Sequence, residues 1–141
     1  MKYFTMRELT NSATARRLGI DNTPDDTVRA RLEALTDSVL DPLRKLYNKP
    51  IKVTSGYRCP RLNAAVGGAQ NSQHMRGEAA DVTSINDNLD ENKKILDILL
   101  KSGLTFDQLL IEHPDKYGRP SWLHISYTRR RPNRNQILVV K

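Results

Sequence analysis

Val28, Leu32, Leu35, Val39, Leu43 and Leu46 recur at steps of three and four along one stretch of the chain. That spacing follows the α-helical period and gathers all six side chains on one face. The stretch from about Pro24 to Leu46 is therefore predicted as a long amphipathic helix, whose apolar stripe must be covered by a second layer of structure. Thr23 suits the N-cap and Pro24 the first helical position. Asp25 and Asp26 complement the positive end of the helix dipole. Pro42 falls inside the stripe, where its missing N–H and its ring predict a kink or a break.

Shorter signals surround this helix. Thr5 and Glu8 have capping-box spacing, and a second short helix is expected from Ser12 to Leu18, closed by Gly19. Pro50–Thr54 and Ala79–Thr83 read as strands, the second one buried. Ser55–Gly77 is polar and loop-rich, with room for a short helix near Arg61–Ala65. Leu89–Lys101 is a second amphipathic helix, with Ile95, Leu96, Leu99 and Leu100 toward the core and Gly103 ending it. Leu109–Glu112, Trp122–Tyr127 and Ile137–Val140 complete the strands. Helices at the front and strands behind predict an α+β fold, a small, largely antiparallel sheet packed against helices.

The 141 residues fit one domain, with a core large enough to need no disulfide. Cys59 is the lone cysteine, which excludes both an internal disulfide and a cysteine-rich zinc site. No apolar run is long enough to span a bilayer, so no membrane insertion is expected. The first residues, MKYFTMRELTNS, lack the apolar core of a secretory signal. Synthesis in the cytoplasm is the expectation. The net charge of +7 favours anionic partners, among them anionic cell-wall polymers. Its densest patch is Arg129, Arg130, Arg131 and Arg134, read either as a solvated basic loop or as a polyanion contact. No helix-turn-helix, zinc-finger or RNP pattern accompanies it, so no specific nucleic acid is expected.

The chain has three histidines. His74 lies in SQHMRGEAAD, seven residues before Asp81, and His124 lies in SWLHIS. A catalytic zinc takes three protein ligands and leaves one position open, and His74, Asp81 and His124 offer an N, O, N set. Asp81 is out of place in an apolar strand unless a partner or a metal holds it. Against this stands the reading of each histidine as a hydrogen-bonded structural residue. Gly77, Ala79 and Ala80 let backbone pass closely beneath such a site.

The stretch TSGYRCPRLNAAVGGAQNSQHMRGEAADV, followed by FDQLLIEH and SWLHIS, resembles the zinc D-alanyl-D-alanine carboxypeptidases. That family includes L-alanyl-D-glutamate endopeptidases of phages and shares its fold with the Hedgehog signalling domain. The resemblance covers about residues 24–127 and leaves residues 1–22 as an N-terminal helical extension. It implies zinc held by His74, Asp81 and His124. It implies that Arg58 holds the substrate or stabilises the oxyanion, that Ser72 touches substrate, and that Tyr57, Asn63, Gly67 and Gly68 frame the site. The implied activity is zinc-dependent hydrolysis of a peptide bond involving D-amino acids in peptidoglycan stem peptides. Carboxypeptidase and endopeptidase action both stay open. A monomeric enzyme of bacterial, phage or prophage origin, acting on the wall after release or export, is the matching expectation.

One position departs from the pattern. Family members carry an acid three residues before the last histidine ligand, or a histidine five before it; here these positions hold Ser121 and Arg119. Glu112 is the candidate general base in their place, on a strand expected to pair with the one bearing His124, with a surface strand residue as the competing role. His113 is a second, weaker candidate. Trp122 either lines a substrate groove or packs in the core. The missing acid also supports a rival reading, a zinc-containing module that binds wall peptide without cutting it.

Overall fold

Five strands form one sheet in the order β1-β2-β4-β3-β5 in the computed structural model, which describes residues 1–141. The strands are β1 (Ile51–Ser55), β2 (Ala79–Ser84), β3 (Gln108–Glu112), β4 (Trp122–Ser126) and β5 (Gln136–Val140). β1 with β2, β2 with β4 and β4 with β3 pair antiparallel, and β5 joins β3 in parallel. Six α-helices accompany them: α1 (Met6–Thr10), α2 (Ala13–Leu18), α3 (Asp26–Leu35), α4 (Asp41–Tyr47), α5 (Pro60–Ala65) and α6 (Leu89–Lys101). The architecture is α+β with a largely antiparallel sheet, as the element pattern predicts.

Strand side chains alternate between faces, and this alternation divides the sheet by chemistry. Ala80 and Val82 of β2, Leu109 of β3, and Leu123 and Ile125 of β4 enter one buried cluster with Leu32, Leu35, Val39, Leu43, Ile95 and Leu99. Each Val, Leu or Ile side chain among them contributes roughly 1.5–3 kcal/mol by leaving water. The alternate positions, Asp81, His124, Leu110, Glu112 and Trp122, fall on the other face. The start of the chain joins the same core through Phe4 and through Leu9 of α1, the Leu9 carbonyl accepts the Tyr57 N–H, and Ala15 of α2 packs in a second, smaller cluster with Ile20 and Leu62. Thr5 and Ser12 cap α1 and α2, and Gly19 closes α2 in the left-handed conformation.

The long helix differs from expectation at its start and in its middle. Thr23 donates its hydroxyl to Asp21, and Asp25 is the N-cap instead, accepting from the Val28 N–H. Pro42 does not break the helix. Thr36–Leu40 forms a π-helical turn, in which the Asp41 N–H reaches back five residues to the Thr36 carbonyl. Widening the ladder just ahead of Pro42 gives its ring room and absorbs the missing donor. Leu40 joins Val39 in the core, the stripe continues through Leu43 to Tyr47, and Leu46 is left exposed. Leu100 is likewise exposed, so the buried face of α6 is Ile95, Leu96 and Leu99.

The basic cluster also differs from a solvated loop. Arg130 pairs with Glu78 at 2.8 Å, and Arg131 and Arg134 pair with Asp107 at 2.7 and 3.0 Å. Both carboxylates are almost completely buried. They would be costly to bury unpaired, so the arginines are drawn inward to neutralise them.

Candidate metal centre

Cross-strand register brings the centre together. Asp81 of β2 lies directly opposite His124 of β4, and Leu110 of β3 lies opposite His124 on its other side. Directly opposed residues share a face. A shift of register in β1 between Val53 and Ser55 sets Ser55 opposite Asp81. His74 arrives from elsewhere, on a 3₁₀ turn (Gln73–Arg76) capped by Ser72. Gly77 ends that turn with φ +75°, and a Cβ there would strike Val28. The chain needs this close approach to carry His74 over the sheet and turn back into β2.

One ligand atom from each of His74, Asp81 and His124 lies within 4.8 Å of the others. Asp81 Oδ1 is 3.3 Å from His74 Nε2 and 3.1 Å from His124 Nδ1. The remaining ring nitrogens are engaged outward. His74 Nδ1–H donates to the Gly56 carbonyl at 2.7 Å, and His124 Nε2–H donates to Gln73 Oε1 at 2.7 Å. These bonds turn His74 Nε2 and His124 Nδ1 toward the Asp81 carboxylate: protonated, each donates to it, and deprotonated, each offers a lone pair to a metal. Burial alone would raise the Asp81 pKa, but hydrogen bonding with His124 and His74 holds it well below the ordinary carboxylate range. Two neutral imidazole nitrogens and one ionised oxygen form a donor set that suits zinc, with a coordination position to spare.

The other predicted site residues group around this centre. The Arg58 side chain is fixed from three sides. Nε donates to Ser55 Oγ at 3.0 Å, one terminal nitrogen donates to Asn63 Oδ1 at 3.1 Å, and the other is 3.6 Å from Asp81 Oδ2. Burial lowers its pKa, with the charge of Asp81 opposing that shift. Gly68 sits where a Cβ would overlap Asn63 Oδ1 and crowd the Arg58 guanidinium. Ser72 is buried, and its hydroxyl accepts the His74 N–H. Tyr57 is in the core.

Glu112 lies opposite Trp122, one rung from His124 on the same face. Burial raises its pKa, the charge of Asp81 raises it further, and His124 and His113 pull it back. Trp122 is half-buried and outside the core cluster, with its ring 5.1 Å from the ring of His113. His113 itself turns the chain at φ +45°. Ser121 donates its hydroxyl to the His113 carbonyl, and Arg119 is tied to Asp115 and Asp90. Neither position supplies a base.

Two residues with no role in the sequence reading stand behind His124. Gln73 Nε2 donates to Asp107 Oδ2 at 3.1 Å. A carboxylate only accepts, so the amide oxygen of Gln73 must face His124 and the proton must sit on Nε2. Asp107 is held in turn by Arg131 and Arg134. The signal that singles out Asp81, a carboxylate in an apolar run, is present for Asp107 too. Gln73 carries no signal beyond standing next to His74.

A 35-residue stretch of the chain is 54% identical to the zinc D-Ala-D-Ala carboxypeptidase of Streptomyces albus G, covering 25% of this chain and 14% of that protein. The chain therefore matches a small part of that relative's length. The family model described as Peptidase M15 matches residues 2–126, a span that takes in the N-terminal helices, the sheet from β1 to β4 and all three candidate ligands, and on that match the chain belongs to the Peptidase M15 family.

Proposed function

We propose that this chain is a zinc-dependent peptidase that hydrolyses a peptide bond involving D-amino acids in peptidoglycan stem peptides, as a D-Ala-D-Ala carboxypeptidase or an L-Ala-D-Glu type endopeptidase. One observation carries the reading: His74, Asp81 and His124 converge from three separate elements, with each histidine's second nitrogen already bonded outward. Zinc bound there would supply an activated water near neutral pH and a Lewis acid for the scissile carbonyl. The chain's own residues divide the remaining work. Glu112, with its raised pKa, takes a proton from the attacking water and returns it to the leaving amine. Arg58, locked in place by Ser55 and Asn63, neutralises developing negative charge or clamps a substrate carboxylate. Ser72 and Trp122 border the same face and contact the peptide.

The lack of an acid at Ser121 favours a second reading, a zinc-containing module that binds wall peptide without cutting it. One experiment separates the two. Zinc is measured by elemental analysis in the wild type and in His74→Ala, and both are incubated with purified peptidoglycan while newly released amino groups are followed. Stoichiometric zinc and amine release, both lost in His74→Ala, supports the peptidase, and the fragments identify the bond. Zinc with no amine release leaves the binding module. A wild type that takes up no zinc overturns the ligand assignment.

A further inference from the structure

A cavity of about 360 Å³ opens beside His124, bordered by Ser72, Gln108, Arg76, Arg131 and Arg134 among others. The sheet order sets its position. Arg58 follows β1 on one flank of the ligand strands β2 and β4, while this cavity lies on the opposite flank, toward β3 and β5. Its arginines are anchored from behind. Arg131 and Arg134 both grip Asp107, and Arg76 and Arg130 both grip Glu78. Arg130 stands outside the cavity, so three guanidinium groups border it, Arg76 sharing the charge of Glu78 with Arg130, and Arg131 and Arg134 sharing that of Asp107. One arginine per carboxylate would neutralise the buried charge; the second of each pair is surplus to that task.

A guanidinium has five N–H donors, and a bidentate carboxylate uses two. Arg131 and Arg134 keep 39% and 46% of their side-chain surface exposed, so donors remain for a ligand. Both are already held in one orientation, which removes most of the ordering cost of binding. We infer that this cavity is an anionic subsite that receives a carboxylate of the peptide substrate on the β3 side of the scissile bond, so that the enzyme selects stem peptides with a free acid there. The inference rests on the peptidase reading above. Peptide stems carry such an acid on D-glutamate, where it occurs free or amidated. The cavity borders His124, so its occupant is continuous with a peptide bound at the metal centre, which favours a peptide carboxylate over a polymer phosphate.

The test uses two synthetic stem pentapeptides, identical except that the D-glutamate α-carboxylate is free in one and amidated in the other. The wild type should cut the free acid with a kcat/KM about tenfold higher, mainly through KM. Arg131→Gln and Arg134→Gln each leave one guanidinium on Asp107. In each variant the ratio of the two kcat/KM values should fall to about one, whatever the absolute rate. Equal kcat/KM for both peptides in the wild type, or a preference that survives in both variants, overturns the subsite and leaves the peptidase intact. If neither peptide is cut, the peptidase reading fails instead. Calorimetric binding of the two uncut peptides then decides the subsite, and equal affinities overturn it. Inhibition by inorganic phosphate that is relieved in Arg131→Gln, with no discrimination between the peptides, overturns the peptide assignment in favour of a polymer phosphate.

Discussion

Gln73 Oε1 lies 2.7 Å from Nε2 of His124, and the opposite end of the same amide is bonded to buried Asp107. The chain Asp107–Gln73–His124 therefore selects one tautomer of the imidazole and turns Nδ1 toward Asp81. Gln73→Leu should weaken zinc binding about 10- to 100-fold with the fold unchanged. Competition against a chelator measures the affinity, and ¹⁵N chemical shifts of the metal-free protein report which ring nitrogen of His124 holds the proton. An unchanged affinity and an unchanged tautomer in the variant would remove Gln73 from the centre.

Glu112 is the acid on the ligand face whose pKa moves up rather than down. Glu112→Gln should keep full zinc occupancy and lose about 10²- to 10⁴-fold in kcat. A base must be ionised to act. The acid limb of the kcat/KM profile should therefore fall as pH drops through a pKa above the ordinary glutamate value of 4.5. Full activity in Glu112→Gln, or a rate independent of pH across that limb, would assign the base elsewhere.

Arg58 is held by Ser55 and Asn63 on one side and faces Asp81 on the other. Arg58→Lys retains charge but not the forked geometry. A loss confined to kcat, of about 10²- to 10³-fold, marks oxyanion stabilisation. A loss confined to KM marks a substrate-carboxylate clamp. Steady-state kinetics on one defined peptide distinguishes them, and wild-type values for both constants would exclude Arg58 from the reaction.

Acid should unfold the protein through Glu78 and Asp107. Burial alone would raise both pKa values. Hydrogen bonds from Arg130, Thr128 and Arg76 outweigh this for Glu78, and those from Arg131 and Arg134 do so for Asp107, so both are depressed. A depressed folded-state pKa gives stability that is complete above the unfolded value, near 4, and is lost as pH falls toward the folded value. Urea melts from pH 7 to pH 2 should show this decline. Asp107→Asn should lower stability at pH 7, because it removes the charge that Arg131 and Arg134 bond, and should flatten the pH dependence. A variant whose stability follows the wild-type curve would contradict this account.

Much of the molecule was readable before any coordinates. Apolar steps of three and four marked α3, α4 and α6, and short β-branched runs marked the strands, because burial imposes the period of each element on its own residues. The ordered motif from Thr54 to Val82 marked Arg58, Ser72, His74 and Asp81 as candidates, with Trp122 and His124 beyond it, and the structure brings His74, Asp81 and His124 within 4.8 Å of one another. Local pattern failed where the answer depended on a neighbour in space. Asp25 rather than Thr23 caps α3 because the helix begins at Asp26, two residues later than Pro24. A π turn resolves Pro42 because the core still holds both halves of the helix.

The sequence by itself determined which side chains are available to hold a metal and which elements carry them, since residue identity and hydrophobic period are local properties. Only the tertiary structure decided the rest. Register set Asp81 against His124 and Glu112 against Trp122, and register is a relation between strands far apart in the chain. Burial of Glu78 and Asp107 drew the arginine cluster inward, because an unpaired buried carboxylate is too costly to keep. The orientation of His124 depends on an amide 51 residues away, held by an acid 34 residues further on, a chain of contacts that no local spacing encodes.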